Sequence, residues 1–166
     1  MTLCALAVAF LTLGPFIEPA QTNAAGTSTV VTWKADLPKP SPGADPAPKA
    51  ITLTILKESA ELMSWRVDIV DAKGDSTFYA WSGPLDGSLQ PVKGPKGEVL
   101  LQESLTRDKQ GALLRHGVDS TDGSSFDGRA TLSADGNTIT DVITSKSKDG
   151  KTATETMVYR RVMTGK

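Results

Sequence analysis

Five Asp-Gly pairs punctuate the chain beyond its midpoint, at Asp86-Gly87, Asp122-Gly123, Asp127-Gly128, Asp135-Gly136 and Asp149-Gly150. Asp-Gly tolerates the positive φ of two-residue hairpin turns, so the pair between alternating strands is a strong local hairpin signal. The intervening runs are short and rich in Val, Ile, Thr and aromatics. The clearest, Leu62 to Asp71, alternates Met63, Trp65, Val67 and Ile69 against Ser64, Arg66 and Asp68. One apolar and one polar face define a half-buried antiparallel strand. Similar runs start near Thr29, Ala50, Ser76, Glu98, Ala112, Ser124, Thr138 and Thr152, with a shorter one at Leu89 to Val92. Asp127-Gly128 falls inside a run and predicts a bulge.

About nine such strands with short connections suit a single domain over residues 25–166. Consecutive hairpins favour an up-and-down order over a Greek key, and closure removes exposed sheet edges. The expected fold is all-β, an antiparallel up-and-down meander closed into a small barrel of about 8–10 strands. Between the first two strands, residues 36–49 hold Pro38, Pro40, Pro42, Pro46 and Pro48. Proline fixes φ and removes a donor, so this stretch reads as a stiff loop within the domain.

The N-terminus differs in kind. Leu3 to Phe16 is almost wholly apolar and uncharged, the length of a signal-peptide core and too short to span a bilayer. Small residues follow at Ala20, Ala24 and Ala25, although no Lys or Arg precedes the run. Residues 1–24 are therefore expected to be a cleaved signal peptide. The protein would then be secreted or periplasmic, with no stable membrane insertion after leader removal. The only cysteine, Cys4, goes with the leader, so the rest of the chain relies on its core and not on a disulfide. Lys and Arg number 18 and Asp and Glu 19, of which Glu18 lies in the leader. The remainder is formally neutral, which argues against a nucleic-acid partner.

Catalytic chemistry finds little support. The only histidine is His116, and no G-x-S-x-G elbow occurs. Gly150-Lys151-Thr152 lacks the upstream glycine of a phosphate loop, since Ser145 stands there. Asp119, Asp122 and Asp127 do not have calcium-loop spacing and read as turn residues. Glu98, Glu103 and Glu155 are scattered and read as exposed strand residues. One histidine and no retained cysteine leave no zinc site. The chain is read as no enzyme, with no cofactor and no metal.

The stretch from Thr32-Trp33-Lys34 to Tyr159-Arg160-Arg161 resembles a family of secreted, lipocalin-like bacterial proteins without established activity. The matching pieces include Ser41-Pro42-Gly43, Thr52-Leu53-Thr54-Ile55, Pro91-Val92-Lys93-Gly94, Ser133-Ala134-Asp135-Gly136-Asn137 and Val158-Tyr159. The resemblance implies a calycin-type barrel and supplies no catalytic residues. It also implies a clamp in which an early-strand tryptophan, here Trp33, packs on a late-strand arginine, here Arg161, and closes one barrel end. Lipocalins favour glycine two residues before that tryptophan, where this chain has Val31.

An exported binding module for a small apolar or amphipathic ligand follows as the expected function. The expected site lies inside, between Trp65, Tyr79, Trp81 and His116. Tyr79 and Trp81 share a parity, and Leu114 and Val118 set His116 on an apolar face. The same side chains would equally fill a solid interior, and the protein would then be a structural or interaction scaffold of the cell envelope.

Overall fold

The computed structural model describes residues 30–37 and 46–163. The expected leader, residues 1–24, and positions 38–45 of the proline-rich loop lie outside the described residues. Ten strands follow in order: β1 (Val31–Ala35), β2 (Ala50–Glu58), β3 (Leu62–Val70), β4 (Ser76–Pro84), β5 (Gln90–Lys93), β6 (Val99–Arg107), β7 (Leu113–Val118), β8 (Ser125–Leu132), β9 (Thr138–Lys146) and β10 (Thr152–Arg161). Each pairs antiparallel with its neighbours in sequence, and β1 pairs with β10, closing an all-β up-and-down barrel. The brief run near Leu89 is a true strand, β5.

The turns differ from the two-residue type expected of Asp-Gly. At the β9–β10 turn, Ser147 N donates to Lys151 O at 2.9 Å and Gly150 N to Ser147 O at 2.8 Å, with Gly150 at φ 82°. This is a three-residue loop in which glycine takes the left-handed position after a type I turn. The same bond pair closes 71–75, 94–98 and 108–112, where Lys or Gln precedes the glycine. Aspartate instead often opens the turn. Asp71 Oδ1 accepts from the backbone of Lys73, Gly74 and Asp75, and these bonds hold its carboxyl below the ordinary range.

The bulge expected at Asp127-Gly128 is absent. Register runs unbroken through both residues on each side of β8. Shifts occur instead between Ile55 and Lys57 on β2 and between Val92 and Lys93 on β5.

The interior is packed unevenly. Met63, Trp65, Val67, Trp81, Val92 and Leu105, all from β3 to β6, form the buried cluster. β5 is short and meets β4 through a single register pair, Ala80 with Lys93. Trp81 reaches past it and donates from Nε1 to Glu103 O on β6 at 3.0 Å, which fixes that wall.

Candidate functional site

A cavity of about 350 Å³ occupies the barrel beside the packed wall. Its lining reaches Gly111 and Gly136, in the loops that follow β6 and β8, so this end is the mouth. Glu58 on β2 and Arg107 on β6 form an ion pair there. Those strands are separated in the sheet by β3, β4 and β5, so the pair bridges the mouth. Both side chains are substantially exposed, and such a pair contributes at most about 1 kcal/mol.

Most of the lining is apolar, including Leu53, Ile55, Ile139 and Ile143. Into it project an arginine and an aspartate. Arg115 on β7 donates from Nε to Glu103 Oε1 at 2.6 Å and from Nη1 to Asp141 Oδ2 at 2.6 Å. Its side chain is 19% exposed, while Glu103 and Asp141 are 1% and 3% exposed as residues. Trp65 and Phe126 flank the guanidinium, with ring centroids 5.9 and 5.5 Å from Cζ. Burial alone would lower this arginine's affinity for the proton. The two carboxylates outweigh it and raise its affinity for the proton. Burial raises the Glu103 carboxyl above its ordinary value, against the opposing pull of Arg115. Tyr79 and Tyr159, both on the lining, are pushed up chiefly by burial.

Gly128 lies against this bridge. It lies on β8, between the strands that carry Arg115 and Asp141, and is paired with Arg115. A Cβ there would stand 3.4 Å from Arg115 Cβ and 3.7 Å from Asp141 Oδ1. A larger side chain would occupy the space through which the ions meet.

Two polar atoms of the lining residues are left over. Asp141 Oδ1 and Trp33 Nε1 are buried and have no hydrogen-bond partner among the described residues. Such groups typically cost about 1–3 kcal/mol each, so an orphaned pair calls for an explanation.

The sequence-based site is redistributed. Trp65 and Tyr79 line the cavity, their rings edge to face at 5.8 Å. Trp81 faces inward as the cross-strand partner of Trp65, stacked on it at 6.4 Å, and does not line the cavity. His116 requires correction. On β7 the inward residues are Leu113, Arg115 and Gly117, and His116 points out, with its side chain 48% exposed and Nδ1 2.9 Å from Asp127 Oδ1. Leu114 and Val118 share its outer face, where they are only half-buried. Trp33 and Arg161 are direct partners across β1 and β10, with Cζ 6.0 Å from the ring. They line the cavity and do not seal it, and Arg161 is exposed. Glu103, read from sequence as an exposed glutamate, is among the most buried residues of the chain.

Neither a family model, nor a curated protein, nor a solved structure matches this chain. The site is therefore read from its own chemistry. Among the described residues no group of three or more His, Cys, Asp or Glu side chains is placed to hold a metal ion. An apolar cavity with a few convergent polar groups is the usual form of a small-molecule site.

Proposed function

We propose that this protein is a binding module that holds a small apolar or amphipathic ligand inside its barrel. The observation that carries this reading is the cavity of about 350 Å³, within the range of small-ligand sites. The buried ions support it further. A buried ion cluster is seldom a stability device, because replacing it with packed apolar residues is often neutral or stabilising by about 1–4 kcal/mol. Leucines at those positions would make a sounder core and no binding site. Export belongs to the same proposal, supported by the apolar run Leu3 to Phe16 and the small residues after it. So does kinship with the secreted lipocalin-like family, supported by the order of the short motifs. No catalytic step is assigned.

The alternative is an envelope scaffold without a ligand, which the solid packing around Trp81 and Leu105 favours. Tryptophan fluorescence titrated with chain-matched amphiphiles and small aromatics separates the two. Ligand binding predicts a saturable change that is kept in Trp81→Phe and lost when both lining indoles are replaced, in the double variant Trp33→Phe with Trp65→Phe. No saturable change with any compound would leave the scaffold.

A further inference from the structure

The mouth and the interior of the cavity present different charges. At the mouth, Arg107 is paired with Glu58, and the Arg161 guanidinium lies over Trp33 in contact with solvent. Deeper in, the one cation on the lining is Arg115. It is held by two carboxylates, each through a charge-assisted bond of 2.6 Å. With Glu103 protonated the cluster is neutral; with Glu103 ionised its net charge is −1. In neither state does it carry a positive charge free to meet an anion. A carboxylate head group brought to Arg115 would have to displace Asp141 or Glu103 and leave that residue buried and unpaired, a change that costs heavily.

What the cluster does offer is an acceptor. Asp141 uses Oδ2 on Arg115 and leaves Oδ1 without a donor. The residue is 3% exposed and lies on the cavity lining, and among the described residues no donor is bonded to that oxygen. A group that brings N–H bonds to that oxygen would complete the site, and one that brings positive charge would also balance the surplus carboxylate.

We propose that the cavity selects amphiphiles with a protonated primary amine head, which donates to Asp141 Oδ1 while the alkyl or aromatic body lies against the apolar lining. This rests on the reading of the barrel as a binding module and specifies its ligand class. The apolar body supplies affinity by burial, whereas the head group decides which amphiphile enters.

The test is isothermal titration of the full chain, below micellar concentrations, with three probes of equal chain length: decylammonium, decyltrimethylammonium and decanoate. Decylammonium is expected to bind at one site, at least about tenfold tighter than decanoate. Decyltrimethylammonium, which has the charge but no N–H donor, is expected to lie between them. Asp141→Asn should erase the preference of amine over carboxylate. Because that change also weakens the hold on Arg115, Gly128→Ala provides a second variant. It leaves all three ions in place and sets a methyl against the free oxygen at ordinary contact distance, so amine affinity should fall while folding is retained. Decanoate binding as tightly as decylammonium, or an amine preference that survives both variants, would overturn the assignment and leave the binding module standing. Failure of all three probes to bind would also overturn the assignment, and the module itself then stands or falls with the fluorescence titration.

Discussion

Trp81 and Trp33 are both buried indoles on inward-facing strand positions, and they are treated differently. Trp81 lies in the wall formed by β3 to β6, stacked on Trp65, and its Nε1 donates to Glu103 O. Trp33 lies on β1 beside the cavity, and its Nε1 has no partner among the described residues. The indole in the packed half thus finds its acceptor within the chain. The hollow half leaves both a donor, Trp33 Nε1, and an acceptor, Asp141 Oδ1, unmet. A barrel selected only for stability would have no reason to complete one side and leave the other open. The contrast supports the proposed division, in which the packed half would hold the fold and the hollow half would receive an occupant.

The largest expected effects fall on the boundary between the two halves and on the packed wall. Arg115→Met leaves Glu103 and Asp141 buried without their cation and should cost about 3–5 kcal/mol in urea unfolding. Replacing all three with Glu103→Leu, Arg115→Met and Asp141→Leu should restore or exceed wild-type stability. If the triple variant is as unstable as the single one, the cluster is structural and the contrast fails. Trp81→Ala should cost about 3–5 kcal/mol, since the void would open in a packed wall. Trp33→Ala should cost less, about 2–3 kcal/mol, because it enlarges a space already present. Equal costs would mean that both halves are packed alike.

A smaller effect should appear with pH. The Glu103 carboxyl is raised above its ordinary 4.5 by burial, so the folded chain keeps this proton longer than the unfolded chain does. Stability is then lost as pH rises from about 4.5 towards the raised folded-state value. Glu103→Gln cannot lose that proton. In thermal unfolding from about pH 4 to about pH 8, wild type should therefore lose ground to the variant across this window. A gap that is constant with pH would show that the burial of Glu103 carries no linkage. The smallest effect belongs to His116→Ala, which should stay within about 0.5 kcal/mol of wild type and leave ligand binding unchanged.

How far the sequence revealed this structure depended on which signal was followed. Alternation on β3 placed Met63, Trp65 and Val67 inward, and the parity of Tyr79 and Trp81 was right for β4. Glycine marked the turns correctly, but the three-residue loops depend on glycine at the left-handed position and not on the Asp-Gly pair. On β7 the pattern misled. Leu113 and Leu114 put an apolar side chain on each face of a short strand, so the neighbours of His116 looked like core while Arg115 held the inner position. A better signal was present in the cluster itself. Glu103 shares parity with Leu101 and Leu105, and Asp141 with Ile139 and Ile143. A charge on an apolar face is costly unless paired, so two acids and an arginine on the inward faces of three strands marked a buried ion cluster. The cavity was not legible in this way, because empty volume depends on how side chains from opposite strands fail to meet.

The account stands most directly on whether the hollow half holds a molecule. Native mass spectrometry of the full chain isolated from its own source, compared with an Ala130→Leu variant that grows a side chain into the cavity lining, measures this. The account predicts a single small-molecule adduct on the wild type, released on unfolding and absent from the folded variant. A wild-type mass with no adduct, or an adduct that persists in Ala130→Leu, would contradict it.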